Sequence, residues 1–114
     1  MQKLSLEALA REQLDTARRA SAGRSSRTAF GGHERVLRQT VVALLGGRTL
    51  DEYENPGEAT VLVLHGRVRL VAGDTSWDGR RGDLLVAPAQ RHSLEAIEDS
   101  VVLLTVAKTD RRHP

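Results

Sequence analysis

The chain has 114 residues, no cysteine, 39% hydrophobic residues and a formal net charge of +2. That length fits one domain that hides about two-thirds of the surface an open chain exposes, so a core needs no staples. The composition excludes disulfides, thiolate metal sites and a cysteine nucleophile, and no stretch approaches the ~20 apolar residues of a membrane span.

A helix is expected over residues 6–21. Ser5 is its N-cap, Glu7 lies in its first turn, and Leu6, Leu9, Ala10, Gln13, Leu14 and Ala17 share one face. Arg18 and Arg19 suit a helix C-terminus, where the dipole favours cations, and Gly23 ends the helix. The narrow apolar face needs a cover, from the rest of the chain or from a partner. Arginine outnumbers lysine 15 to 2, and Arg18, Arg19, Arg24 and Arg27 cluster without an intervening acid. A nucleic-acid face would interleave such a patch with stacking aromatics. Only Phe30 is close, so the cluster reads as a solvated helix end and loop, and no nucleic-acid partner is expected.

Beyond residue 26 the pattern changes to short strands: 27–30, 36–45, 49–54, 59–65, 67–72, 75–77, 84–87, 92–96 and 100–107. Glycine-rich connectors separate them: Gly31-Gly32, Gly46-Gly47, Asn55-Pro56-Gly57, His65-Gly66, Gly73-Asp74, Asp78-Gly79 and Gly82-Asp83. Asp78-Gly79 carries the strongest tight-turn signal, because both central residues of a type I′ turn need positive φ. Evenly spaced short strands predict an all-β sandwich or barrel. The expected division is a helix and basic loop over 1–26, a barrel over 27–108 and a tail over 109–114.

One run is distinctive: Gly82-Asp83-Leu84-Leu85-Val86-Ala87-Pro88-Ala89-Gln90-Arg91-His92. It resembles the second motif of the cupins: Gly, five residues, Pro, three residues, His. Gly-Asp turns the chain into an apolar strand, Pro88 ends the strand, and His92 then points inward. Two usual features are replaced, a Gly by Gln90 and an Asn by Ala96. The first cupin motif ends on a Gly that matches Gly66. Counting back puts its Glu slot at Ala59 and its His-x-His slots at Tyr53 and Asn55. The resemblance covers residues 36–107 and implies a cupin jelly-roll β-barrel of the RmlC-like kind, with a short N-terminal α-helix outside it.

Cupin enzymes hold a divalent transition metal with three imidazoles and a carboxylate converging on one ion. The matching slots here hold Tyr53, Asn55, Ala59 and His92, of which only His92 is a good ligand. A rebuilt site would need His92, His33 and an acid. Glu58 lies one residue off the Glu slot, so strand alternation turns it to the other face. His65 precedes Gly66 in an expected hairpin turn and faces solvent, while His113 sits in the basic tail. Ser93 adjoins His92 but points to the opposite face, so the two form no nucleophile–base pair. No phosphate-binding glycine loop is present.

Without a metal, His92 has two readings. It is either a core imidazole satisfied by Tyr53 or Asn55, or a polar anchor in an apolar pocket. Arg38 and Gln39 alternate on one strand, so one of them should join Tyr53, Asn55 and His92 inside. Trp77 either roofs a ligand or covers the barrel flank or a dimer contact. The expected function is a cupin domain that binds a small organic ligand without a tightly held metal or other cofactor. The alternatives are a metal-dependent cupin enzyme of dioxygenase or isomerase type, and a structural dimerisation unit. The expected setting is cytoplasmic, with a homodimer as the assembly and no membrane partner.

Overall fold

A computed structural model describes residues 1–53, 58–88 and 90–107, at 51–53 the backbone alone. One helix, α1, spans Leu6–Arg19. Ser5 caps it: its hydroxyl accepts from the Ala8 amide at 3.1 Å. The helix ends two residues before the expected boundary because Ala20 is already extended, with φ −89° and ψ 137°.

Nine strands follow: β1 (Arg24–Phe30), β2 (Leu37–Leu44), β3 (Thr49–Tyr53), β4 (Glu58–His65), β5 (Arg67–Ala72), β6 (Thr75–Arg80), β7 (Leu84–Val86), β8 (His92–Ala96) and β9 (Ser100–Ala107). They form a five-stranded sheet in the order β1-β2-β9-β4-β7 and a four-stranded sheet in the order β3-β8-β5-β6. This is an all-β chain with one short helix, and its two sheets face each other across a shared core.

Strand alternation builds that core. Ala59, Val61 and Val63 on β4, Val68 and Leu70 on β5, and Leu94 and Ala96 on β8 meet Val42, Leu44 and Val102 between the sheets. The outer face of the five-stranded sheet makes a second core under the helix: Leu9, Ala10, Leu14 and Ala17 pack on Val41, Ala43, Val101 and Leu103. The apolar face of α1 is thus covered by its own chain. Burying Leu9 and Leu14 stabilises the fold by about 1.5–3 kcal/mol each. Gln13, also buried here, accepts a hydrogen bond from the Ser25 hydroxyl.

Three local expectations need correction. The basic loop is shorter than the 1–26 division implies, because Arg24–Ser26 already belong to β1, paired with Val42–Leu44. His65-Gly66 joins no hairpin: it is a corner where the chain leaves one sheet for the other, with Gly66 at φ 83°. A Cβ there would lie 2.3 Å from the Asp99 carbonyl oxygen. Asp78-Gly79 is not a turn; both residues lie within β6, paired with Arg69 and Val68. Gly79 is small because the sheets converge on it, and an added Cβ would sit 3.0 Å from Leu85 Cδ1 and 3.2 Å from Val63 Cγ2. The real hairpin is Gly73-Asp74, closing Ala72 against Thr75. No helix among the described residues is long and apolar enough to cross a membrane.

Candidate functional site

His92 opens β8, on the same face as Leu94 and Ala96, and is 2% exposed. The strand pattern after Pro88 therefore delivers the imidazole to the inter-sheet side, as the spacing predicts. Its Nδ1 lies 2.9 Å from the Gln90 carbonyl oxygen. A carbonyl only accepts, so in the neutral ring Nδ1 carries the proton and Nε2 is left as the acceptor. Nε2 is fully buried. In register, His92 stands directly opposite Tyr53 of β3. The side chain of Tyr53, and Asn55 altogether, lie outside the described residues.

The remaining slot is plain. Ala59 is 4% exposed and packs in the inter-sheet core, so the Glu position of the motif does face inward and holds a methyl group. Its carbonyl accepts from the Ala87 amide at 3.0 Å, which ties β4 to the segment leading to His92. Glu58 is exposed, as alternation requires. His33 and His65 are exposed as well. Among the described residues no group of three His, Asp or Glu side chains converges. The described slots, an imidazole at His92 and a methyl group at Ala59, do not by themselves make up a cupin-type metal set.

Gln39 and Arg38 are separated by their strand. Val41 and Ala43 of β2 pack under the helix, whereas Val42 and Leu44 pack between the sheets. Gln39 shares the helix-side face, so it does not join His92. It donates from Nε2 to Thr105 Oγ1 at 3.2 Å and borders a surface groove with Leu4 and Phe30. Arg38 lies on the inter-sheet side of β2, opposite Val106, which packs against the core. It is exposed at the strand end. Trp77, opposite Leu70 on the edge strand β6, is 66% exposed.

One cluster escaped the sequence reading. On the outer face of the four-stranded sheet, Asp78 accepts from Arg67 Nη2 at 2.7 Å and from Arg69 Nε at 2.8 Å. The hydrogen bond from Arg69, then that from Arg67, lowers the Asp78 pKa from 3.8 to about 2. A signal existed: counting outward from a Gly73-Asp74 turn sets Asp78 opposite Arg69. Taking Asp78-Gly79 as the turn concealed it.

No protein-family model matches the chain, and no curated protein does. Solved structures do. A conserved protein of unknown function from Streptococcus pyogenes aligns with a TM-score of 0.71 and 28% identity, over 81% of this chain and 80% of that one. An RmlC-like cupin from Desulfovibrio desulfuricans aligns with a TM-score of 0.65 and 26% identity, over 75% and 82%. A cupin superfamily protein from Desulfitobacterium hafniense gives a TM-score of 0.69 at 20% identity, over 75% and 78%. With two facing sheets, an inward His92 at the end of the Gly82–His92 run and these neighbours, the chain has a small cupin fold, similar to that of RmlC-like cupins.

Proposed function

We propose that the protein binds a small organic molecule between its sheets, anchored by a hydrogen bond to His92 and without a tightly held metal. The observation that carries this reading is the buried imidazole. Its Nδ1 bonds the Gln90 carbonyl, which fixes the ring on the face it shares with Leu94 and Ala96 of the apolar inter-sheet core. A few convergent polar groups in an apolar cleft are the usual composition of a small-molecule site. The residues proposed to complete it are Tyr53 and Asn55, by their place in the motif and by Tyr53's register with His92. Arg38, at the exposed end of β2, is proposed as the group a ligand meets at the rim.

Native mass spectrometry of the purified protein, paired with elemental analysis, tests this reading. The expected result is an adduct of a few hundred daltons that survives native conditions and is lost in His92→Leu, with Fe, Mn, Ni, Cu and Zn each well below one equivalent. Near-stoichiometric metal that disappears in the same variant would overturn the reading and favour a metal-dependent enzyme. Identical spectra for wild type and His92→Leu would remove His92 from the site.

A further inference from the structure

We infer that the groove between α1 and β4, on the far side of the five-stranded sheet from His92, binds an alkyl carboxylate, with the tail along the helix and the carboxylate between Arg11 and Arg81. The helix buries Val41 and Ala43 of β2 and Val101 and Leu103 of β9, whereas Leu62 and Leu64 of β4 stay only partly buried beside it. Over them lies an open groove of about 530 Å³, within the roughly 300–1,000 Å³ of small-molecule sites. Leu6, Ala10 and Leu14 form its helical wall, and Leu62 and Leu64 its floor. Leu6 and Leu14 stand about 12 Å apart along the axis at 1.5 Å rise per residue. A compact polar solute leaves such a strip wet, whereas a linear alkyl tail laid along it removes apolar surface from water.

The charges select the head group. Arg11 lines the groove from α1, and Arg81 from the segment that joins β6 to β7. That segment is held against β4, since the Gly82 amide donates to the Val63 carbonyl at 2.8 Å. Among the described residues Arg18, Arg19, Arg27, Arg67 and Arg69 are ion-paired with an acid, whereas Arg11 and Arg81 are not. Glu7 is the one acid in the lining, a turn from Arg11, and it pairs with neither arginine. Two guanidiniums and one carboxylate leave one positive charge, which a single ligand carboxylate balances. A guanidinium fork also matches a carboxylate in geometry and takes it in charge-assisted hydrogen bonds. A cationic head on the same tail would meet net repulsion.

Isothermal titration calorimetry of the whole chain with decanoate, kept below its micelle concentration, tests the inference, with decyltrimethylammonium as the tail-matched cation. The expected result is saturable one-to-one binding of decanoate, at least tenfold tighter than the cation. Arg11→Gln and Arg81→Gln should each weaken decanoate by about tenfold or more, the size of one lost hydrogen bond to a charged group. Both side chains are exposed, so their circular dichroism spectra should not change. In methyl NMR spectra decanoate should shift Leu6, Leu14, Leu62 and Leu64 and leave the His92 ring unmoved, and His92→Leu should bind it as the wild type does. These last readouts keep the inference separate from the inter-sheet ligand reading, which can fail without it. No heat of binding, equal affinity for the two head groups, or shifts confined to His92 would each overturn the inference. So would a second copy in the groove, seen in sedimentation velocity as a dimer that decanoate does not dissociate.

Discussion

Replacing Gly79 with alanine tests the claim that the two sheets close on each other at this residue. The new Cβ would sit 3.0 Å from Leu85 Cδ1, 3.2 Å from Val63 Cγ2 and 3.3 Å from Leu85 Cγ. Carbon atoms prefer about 3.5–4.0 Å, so every contact is short by several tenths of an ångström. Val63 is 1% exposed and has nowhere to go, whereas Leu85 is half-buried and is the side chain that must yield. Overpacking of this kind costs about 1–3 kcal/mol. Against it, losing glycine's freedom in the unfolded chain stabilises by about 0.4–1 kcal/mol. The net expectation is a loss of about 0.5–2 kcal/mol, read from urea unfolding midpoints with an unchanged slope. Truncating Leu85 to alanine removes two of the three contacts. In that background Gly79→Ala should be neutral or stabilising, giving a coupling of at least about 0.5 kcal/mol in a double-mutant cycle. A Gly79→Ala penalty equally large in both backgrounds would refute the reasoning, because the cost would then lie in the backbone rather than in the convergence of the walls.

Asp78→Asn should change how stability depends on acid. The folded carboxyl titrates at about 2, below its ordinary 3.8, so its contribution is full above about pH 5 and fades as pH falls towards 2. The urea-midpoint difference between wild type and Asp78→Asn should therefore shrink on acidification; a constant difference would show that the pairing with Arg69 and Arg67 is not maintained in solution. Ser100→Ala removes a buried hydroxyl that accepts from the Arg67 amide at 3.0 Å and lies 2.6 Å from the Glu98 carbonyl, and should cost about 1–3 kcal/mol by chemical denaturation. Ser5→Ala should cost about 0.5–2 kcal/mol through loss of the α1 cap, with a matching fall in melting temperature. Tyr53→Phe, at the position opposite His92 in register, should weaken adduct retention while leaving the circular dichroism spectrum unchanged, and unchanged retention would remove Tyr53 from the site.

The sequence carried the elements well where two local signals agreed. The spans 67–72, 92–96 and 100–107 match β5, β8 and β9 residue for residue, because the first two alternate without a break and the third is a mostly apolar run that opens just after Glu98-Asp99. His92 was placed correctly for the same reason: Pro88 resets the strand and the count from it is short. Alternation fails to say which face is which. Arg38 and Gln39 differ only in facing the second sheet or the helix, and that depends on α1 packing on Val41 and Ala43, a contact between residues far apart in the chain. Asp78-Gly79 misled because a turn-forming pair also suits a strand whose aspartate meets two arginines and whose glycine meets a facing wall.

The seat of α1 has a consequence for synthesis. The helix is made before the strands it rests on, yet part of the surface that covers it, Val101 and Leu103, belongs to β9, made after the other eight strands described here. Until β9 has been made, Leu9 and Leu14 have only an incomplete floor on β2, and β2 and β4 lack the strand that lies between them in the finished sheet. Contacts of such sequence separation are slow to form, and apolar surface stays open while they wait. Between the synthesis of α1 and that of β9, a nascent chain therefore carries an amphipathic helix whose floor is incomplete, until residues 100–107 are made.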